Sequence, residues 1–285
     1  MATITAEAVK KLRDMTDRPM MECKAALTEA EGDMQKAVKI LREKNTKIMA
    51  GKAERETAEG RIGISINPKQ QTAAIIEVRC ESAPVAKADA FIKLVNDLAD
   101  HLTQVATIPG SVEQLLSQPM HQQSSLTVSE RVGEVVGIIR ENMKVARFKC
   151  LHGGSFGKYI HFDGSVGVLL QVEGETADDE LLKDICMHIT AKQPLAVNRE
   201  AIDPKVIENE KEIARAQIAA DPKNQGKPAN IVEKIMEGKI KTWLQENVLI
   251  EQPFVKDDTK TIDQLLKAAK LTAKTFIRFR VGELT

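Results

Sequence analysis

Leu12-Arg13-Asp14-Met15-Thr16-Asp17-Arg18-Pro19-Met20-Met21-Glu22-Cys23-Lys24-Ala25-Ala26-Leu27, followed by Ala30, Gly32-Asp33, Met34, Ala37, Val38 and Leu41, has three short helices written into it. Thr5 precedes Ala8, Val9 and Leu12, an apolar face at helical spacing. Asp17-Arg18-Pro19 breaks that face, and Pro19 suits a first helical position because no intrahelical partner is needed for its missing N–H. Cys23, Ala26, Leu27 and Ala30 form one face of a second helix. Gly32 is expected to stop it in a left-handed cap, and Asp33 to cap the third. Met34, Ala37, Val38 and Leu41 recur at i, i+3, i+4 and i+7. Three helices of this length make a bundle too small to house chemistry, and such a module serves to hold a partner. From Glu43 to Gly60 the charges alternate in sign, which predicts that the three-helix domain ends near residue 50 and that 51–59 is a solvated linker.

Beyond the linker the chain carries an approximate internal repeat. Gly60 to Asn67 and Thr72 to Val78 read as a β-hairpin, and Ala86 to Leu102 (Phe91, Leu94, Val95, Leu98, Leu102) as an amphipathic helix. Gly157 to Gly164 and Ser165 to Val172 read as a second hairpin with Asp163-Gly164 at its turn, and Asp178 to Lys192 as its helix. The expected fold is therefore α+β: a three-helix N-terminal domain, then a duplicated sheet-and-helix core with halves at 60–153 and 154–285. The second half is interrupted at about 203–246, where Asp203-Pro204 starts a helix and a run from Pro228 to Glu246 supplies its antiparallel mate. Charged outer faces on two helices of this length predict a protruding coiled-coil hairpin. A short helix at 262–269 and a strand at 275–281 close the chain.

Composition narrows the chemistry. The 285 residues balance 41 basic against 41 acidic side chains, and only 3% are aromatic, so neither a global basic footprint nor a stacking surface points to nucleic acid. No apolar run is long enough to span a membrane. The N-terminal stretch has no apolar signal segment and carries Glu7 and Asp14, which predicts a cytoplasmic protein. Cys23, Cys80, Cys150 and Cys186 lie far apart without CxxC spacing and read as buried, reduced thiols. There is no P-loop, GxSxG or HExxH. Gly133 and Gly137 fall in a helical pattern, His152 and His161 lack a third ligand at metal spacing, and Cys186 and His188 are two apart on a helix and diverge. No enzyme and no cofactor or metal site is expected.

Leu12-Arg13, Thr16 and the run Met20 to Leu27 resemble the N-terminal signature of the elongation factor Ts family, the nucleotide-exchange factors of the translational GTPase elongation factor Tu. Ala26-Leu27, Gly32-Asp33, Ala37-Val38 and Leu41 are similar to the ubiquitin-associated three-helix fold, which the family's first domain shares. Pro19 stands where the family usually has Gly or Ser. The resemblance implies that Met20, Met21, Cys23, Lys24 and Leu27 dock the nucleotide domain of the GTPase, while Cys23 and Leu27 equally suit the bundle core. A second family signature aligns with Glu77 to Lys87. There the family's Thr-Asp-Phe, which pushes toward the magnesium site of the GTPase, is replaced by Ser82-Ala83-Pro84, with Cys80-Glu81 before it and Val85-Ala86-Lys87 after it matching. Val166-Gly167 matches an Ile-Gly pair that leans on the GTPase, and Val166 equally suits a strand core. His188 matches a position implicated in partner contact, and equally suits a satisfied helix histidine. The hairpin at 203–246 resembles the family's coiled-coil insertion. These resemblances imply an exchange factor whose partner is elongation factor Tu, acting without an Asp–Phe wedge, with no nucleic acid or membrane as partner and homodimerisation left open. The alternative is a non-exchanging or chaperone-like partner of the same GTPase. A ubiquitin-associated-type adaptor would rest on the first domain alone.

Overall fold

A computed structural model of the chain describes residues 4–174, 178–224 and 227–283. Two compact units emerge, one comprising Met1–His152, Ile160–Gly167 and Phe279–Thr285, the other Gly153–Tyr159 and Val168–Arg278.

The first unit begins with α1 (Ala6–Thr16), α2 (Met20–Glu29) and α3 (Met34–Ala50). Thr5 Oγ1 accepts the Ala8 N–H at 3.2 Å, and the Asp33 carboxylate accepts from Gln35 and Lys36, so two of the three helix starts carry side-chain caps. Pro19 sits one residue earlier than expected, as the extended residue before Met20, with ψ 138°. Val9, Leu12, Cys23, Ala26, Leu27, Ala30, Ala37 and Leu41 fill the small core.

The helices end where the sequence places their end, near residue 50, but α3 does not end free in solvent. α3 runs to Ala50, and its last turns lie on α7 (Val128–Ile139). Gly133 and Gly137 permit this approach: a Cβ on Gly133 would stand 2.8 Å from Met49 Sδ, and one on Gly137 would collide with Arg18 and Asn45. The alternating charges of 43–60 give no hint of it, because Met49 and Asn45 meet Gly133 and Gly137, 84 and 92 positions onward. The helices are therefore not set apart at residue 50 but grouped with the α+β half that follows.

That half contains β1 (Glu59–Asn67), β2 (Thr72–Cys80), α4 (Ala83–Ala86), α5 (Asp89–Gln104), α6 (Val112–Ser117), α7 and β3 (Met143–His152). The sheet order is β1-β2-β3, all antiparallel, with Ile62 opposite Glu77 and Glu59 opposite Cys80. Its buried face (Ala74, Ile76, Val78, Cys80) packs on Phe91, Leu94, Val95 and Leu98 of α5 and on Val132, Val135 and Val136 of α7. The helix expected from Ala86 starts three residues later, since α4 is a separate turn ending at Ala86.

The second unit is built on β4 (Ser155–Ile160), β5 (Val166–Gly174) and β8 (Leu271–Arg280), in sheet order β4-β5-β8. α8 (Asp179–Lys192) follows β5, and Asp178 caps it by accepting the Leu181 N–H. Then come α9 (Pro204–Ala220) and α10 (Ala229–Asn247), a two-stranded ribbon β6 (Pro253–Phe254) and β7 (Asp257–Thr261), and α11 (Ile262–Ala268). Asp203-Pro204 opens α9 with its carboxylate bonded to the Lys205 N–H. Val168, Leu170 and Val172 meet Leu182, Ile185, Cys186 and Ile189 in the core. The expected boundary at 153/154 is corrected at its far end. Residues 160–167 and 279–283 belong to the first unit, where the Ile62 N–H donates to the Gly164 carbonyl and the Val281 N–H to the Ser165 carbonyl.

The two units match at one side chain in particular. Leu94-Val95-Asn96-Asp97-Leu98-Ala99-Asp100-His101-Leu102 and Leu181-Leu182-Lys183-Asp184-Ile185-Cys186-Met187-His188-Ile189 share Leu, Asp and His at matching places. In each, the histidine is fully buried. His101 Nδ1 accepts the His121 N–H at 3.0 Å and His188 Nδ1 accepts the Val255 N–H at 3.2 Å. Each Nε2 meets a glutamine Oε1, Gln118 at 3.1 Å and Gln252 at 2.9 Å.

Candidate functional site

The residues singled out by sequence fall into three groups. On α2, Met20, Met21 and Lys24 are exposed, Met21 at 75%, and Met15 near the end of α1 adds a further exposed thioether that the sequence reading passed over. Three exposed thioethers present flexible, polarizable apolar surface, with the Lys24 ammonium bordering it. Cys23 and Leu27 do not join them. Both are fully buried in the three-helix core, so their expected outer contact is corrected to a packing role. Burial also pushes the Cys23 thiol pKa up, against weaker pulls from Thr16 and Arg18.

Beneath this surface Arg18 is almost completely buried and pairs with Glu22 at 2.5 Å, and Glu22 also takes Arg140 from the end of α7. Burial lowers the Arg18 pKa, and Glu22 opposes that shift. One carboxylate thus ties α2 to α7, and it does so between two guanidinium groups that repel each other.

The second group is the turn after β2. Ser82 is the extended residue before α4, and its N–H and hydroxyl both donate to the Glu141 carboxylate, at 3.1 and 2.7 Å. Glu81 accepts the Asn142 N–H at 2.5 Å and pairs with Arg55 at 3.6 Å, while the Asn142 amide donates to the Arg55 carbonyl at 2.8 Å. The loop between α7 and β3 therefore clasps this turn from both ends. Val85 and Ala86 are buried, whereas Ala83 and Pro84 stand exposed at the front. Burial, with the Glu141 charge second, pushes the Cys80 thiol up to about 12. A thiol of that kind stays protonated and unreactive. Glu141 is the residue that sequence reasoning missed here. Its partner lies 59 positions earlier, and an isolated Glu after Arg140 carries no signal.

The third group is the β4–β5 connection. The His161 N–H donates to the Val166 carbonyl and the Gly164 N–H to the His161 carbonyl, both at 2.8 Å. The Asp163 carboxylate accepts the Ser165 N–H and hydroxyl at 2.9 and 2.8 Å, which together outweigh the upward push of burial and hold its pKa low. Gly164 has φ 79°, a conformation that glycine adopts at little cost and residues with a Cβ rarely do. Gly167 is buried, with room for a Cβ denied by Ile62 Cγ2 at 2.5 Å, and Val166 is half-buried beside it.

His188 belongs to none of these surfaces. It has no exposed area, its ring is fixed by Gln252 and the Val255 N–H, and burial lowers its pKa. Its expected contact with a partner is corrected: the side chain is enclosed and braces the turn before β7. Among the described residues no three His, Cys, Asp or Glu side chains gather to hold a metal, and no helix is long and apolar enough to cross a membrane.

Along nearly its whole length the chain is similar to translation elongation factors. The family model described as Elongation factor TS matches residues 81–283. Elongation factor Ts of Thioalkalivibrio sulfidiphilus is 40% identical over 284 residues, covering 99% of this chain and 93% of that protein. Elongation factor Ts of Thiobacillus denitrificans is 43% identical over 285 residues, with the same shares covered. The chain belongs to the elongation factor Ts family.

Proposed function

We propose that this protein binds elongation factor Tu and promotes the release of its GDP during translation elongation, acting by docking and not by covalent chemistry. The observation that carries the reading is the Ser82 turn. Its backbone is fixed by Glu141, Glu81 and Asn142, yet it presents two exposed residues that carry no reactive group. A clasped turn with an exposed front is suited to displacing something on a partner. GDP held at nanomolar affinity is worth about 12 kcal/mol. A protein that binds the nucleotide-free form more tightly weakens GDP by the same coupling free energy, and no proton or electron need move. The lever is misplacement of the magnesium ion or of the phosphate loop that neutralises the nucleotide's charge. Met20, Met21 and Lys24 supply a first contact, and Val166-Gly167 another.

A second reading is kept because Ala83 and Pro84 offer neither acid nor aromatic ring. The same surfaces would then hold the GTPase without exchange, as a chaperone-like partner. Stopped-flow release of fluorescent GDP from the elongation factor Tu of the same cell, with and without this protein, separates the two. Acceleration supports exchange. Tight binding without acceleration overturns it in favour of the second reading.

A further inference from the structure

Phe162 is 87% exposed, and every other Phe, Tyr and Trp of the chain is at least half-covered. In a chain with so few aromatic residues, leaving one ring in water forfeits the largest apolar burial a side chain offers. The ring is not on a loose loop. The turn that bears it is closed by the His161–Val166 and Gly164–His161 backbone bonds and capped by Asp163. It is pinned to β1 by the Ile62 N–H on the Gly164 carbonyl at 2.9 Å and to the residue after β8 by the Val281 N–H on the Ser165 carbonyl at 2.9 Å. The guanidinium of Arg61 reaches the Asp163 carbonyl at 3.5 Å, and the His161 ring lies against Phe162 with centroids 4.6 Å apart. A rigid aromatic side chain loses little freedom on binding, which is what an interface anchor requires.

The geometry points to Phe162 as an aromatic anchor that enters an apolar pocket on the GTPase. This inference rests on the exchange-factor reading given above. The choice of occupant follows from position. Ile62, which holds the turn, is three places along β1 from Glu59, and Glu59 pairs with Cys80 at the entrance to the Ser82 turn. Three strand residues span about 10 Å. A partner face of ordinary size, about 800 Å² per side, that covers Ser82 to Val85 therefore reaches the Phe162 turn as well. The half-buried Val166, at the base of the same turn, extends that surface. The anchor is thus a place where this chain carries an exposed aromatic ring although Ala83 and Pro84 carry none.

The test uses the full chain and nucleotide-free elongation factor Tu from the same cell. Phe162→Ala should keep the far-UV circular dichroism and thermal midpoint of the native chain, because an exposed ring supports no core. It should weaken binding at least tenfold, and Phe162→Leu should recover most of the loss. Val255→Ala, which trims another exposed apolar side chain, should leave affinity unchanged. A photocrosslinking benzophenone amino acid at position 162 should capture the GTPase. Native-like affinity of Phe162→Ala overturns the anchor, and so do crosslinks that join only two copies of this chain. If the native chain itself fails to bind the GTPase, the exchange-factor reading falls first, an outcome distinct from a failure of the anchor alone.

Discussion

At the scale of single residues, two buried histidines set a pH response. The His121 and Val255 amides can only donate, so Nδ1 of His101 and of His188 must accept, and the proton sits on Nε2 facing a glutamine oxygen. Each glutamine is held in that orientation because its amide nitrogen donates to a backbone carbonyl, Gln118 to Thr107 and Gln252 to Glu246. Both rings are thereby kept neutral, and burial lowers both pKa values from 6.5. The unfolded chain binds these protons more readily than the folded one, so their contribution to stability is complete above about pH 6.5 and is lost as pH falls toward the folded values. Urea midpoints should therefore decline between about pH 7 and 5.5, and His188→Gln should flatten the slope while lowering the plateau. A midpoint that stays level or rises across that window contradicts the assignment. Glu141 makes a second residue-scale claim. Glu141→Ala strips two bonds to a carboxylate from Ser82, at about 1.5–3 kcal/mol for a charged acceptor, whereas Ser82→Ala removes one. Urea unfolding should rank them in that order, with faster amide exchange at Ser82 in the Glu141 variant.

At the scale of elements, the helices and strands whose partners are near in sequence were legible in it. Period and caps located α1 to α3, the two hairpins, α8 and the α9–α10 pair, since each depends on side chains a few positions apart. What stayed hidden depends on distant pairing. Asn45 and Met49 look like surface positions until Gly133 and Gly137 bring α7 against them, and the Ser82 turn looks like an ordinary strand end until Glu141 takes its two donors. The candidate site was read in the same proportion. Met20, Met21 and Lys24 were recoverable as surface, but the burial of Cys23, Leu27 and His188 is a property of packing that a motif cannot display. The matching Leu-x-x-Asp and His of 94–102 and 181–189 could have exposed the histidine pair, because identical polar residues inside two apolar helix faces signal a shared internal partner. The α3–α7 contact gives this scale its prediction. Gly137→Leu places a side chain where Arg18 and Asn45 already stand, and overpacking of this kind costs about 1–3 kcal/mol. The urea midpoint should fall, and limited proteolysis should cut the 51–58 segment faster than in the native chain. Equal resistance would mean that α3 is not held by α7.

At the scale of the whole molecule, the question is whether exchange resides in one wedge or in the docking of many surfaces. Ala83 and Pro84 are exposed, so the first unit does not need them for its core, and replacing them tests function with little effect on folding. Pro84 lies in the first turn of α4, where its loss costs about 0.4–1 kcal/mol through the freer unfolded chain. If a wedge governs release, Ala83→Asp with Pro84→Phe restores an acid and a ring on a turn that Glu141 already holds in place. An aromatic contact of about 1.5–3 kcal/mol, realised in the transition state for release, is worth roughly one to two powers of ten in rate. If the distributed surface governs release, the native chain is already an effective catalyst of exchange and the double variant gains little. The second outcome is expected, because 99% of the chain aligns with its relatives and the clasp around Ser82 is intact without the wedge. Stopped-flow GDP release on the cognate GTPase should show strong acceleration by the native chain and less than a roughly tenfold further gain in the double variant. A weak native chain rescued by the double variant would move the mechanism to the wedge. Two chains equally unable to accelerate release would leave binding as the whole of the activity.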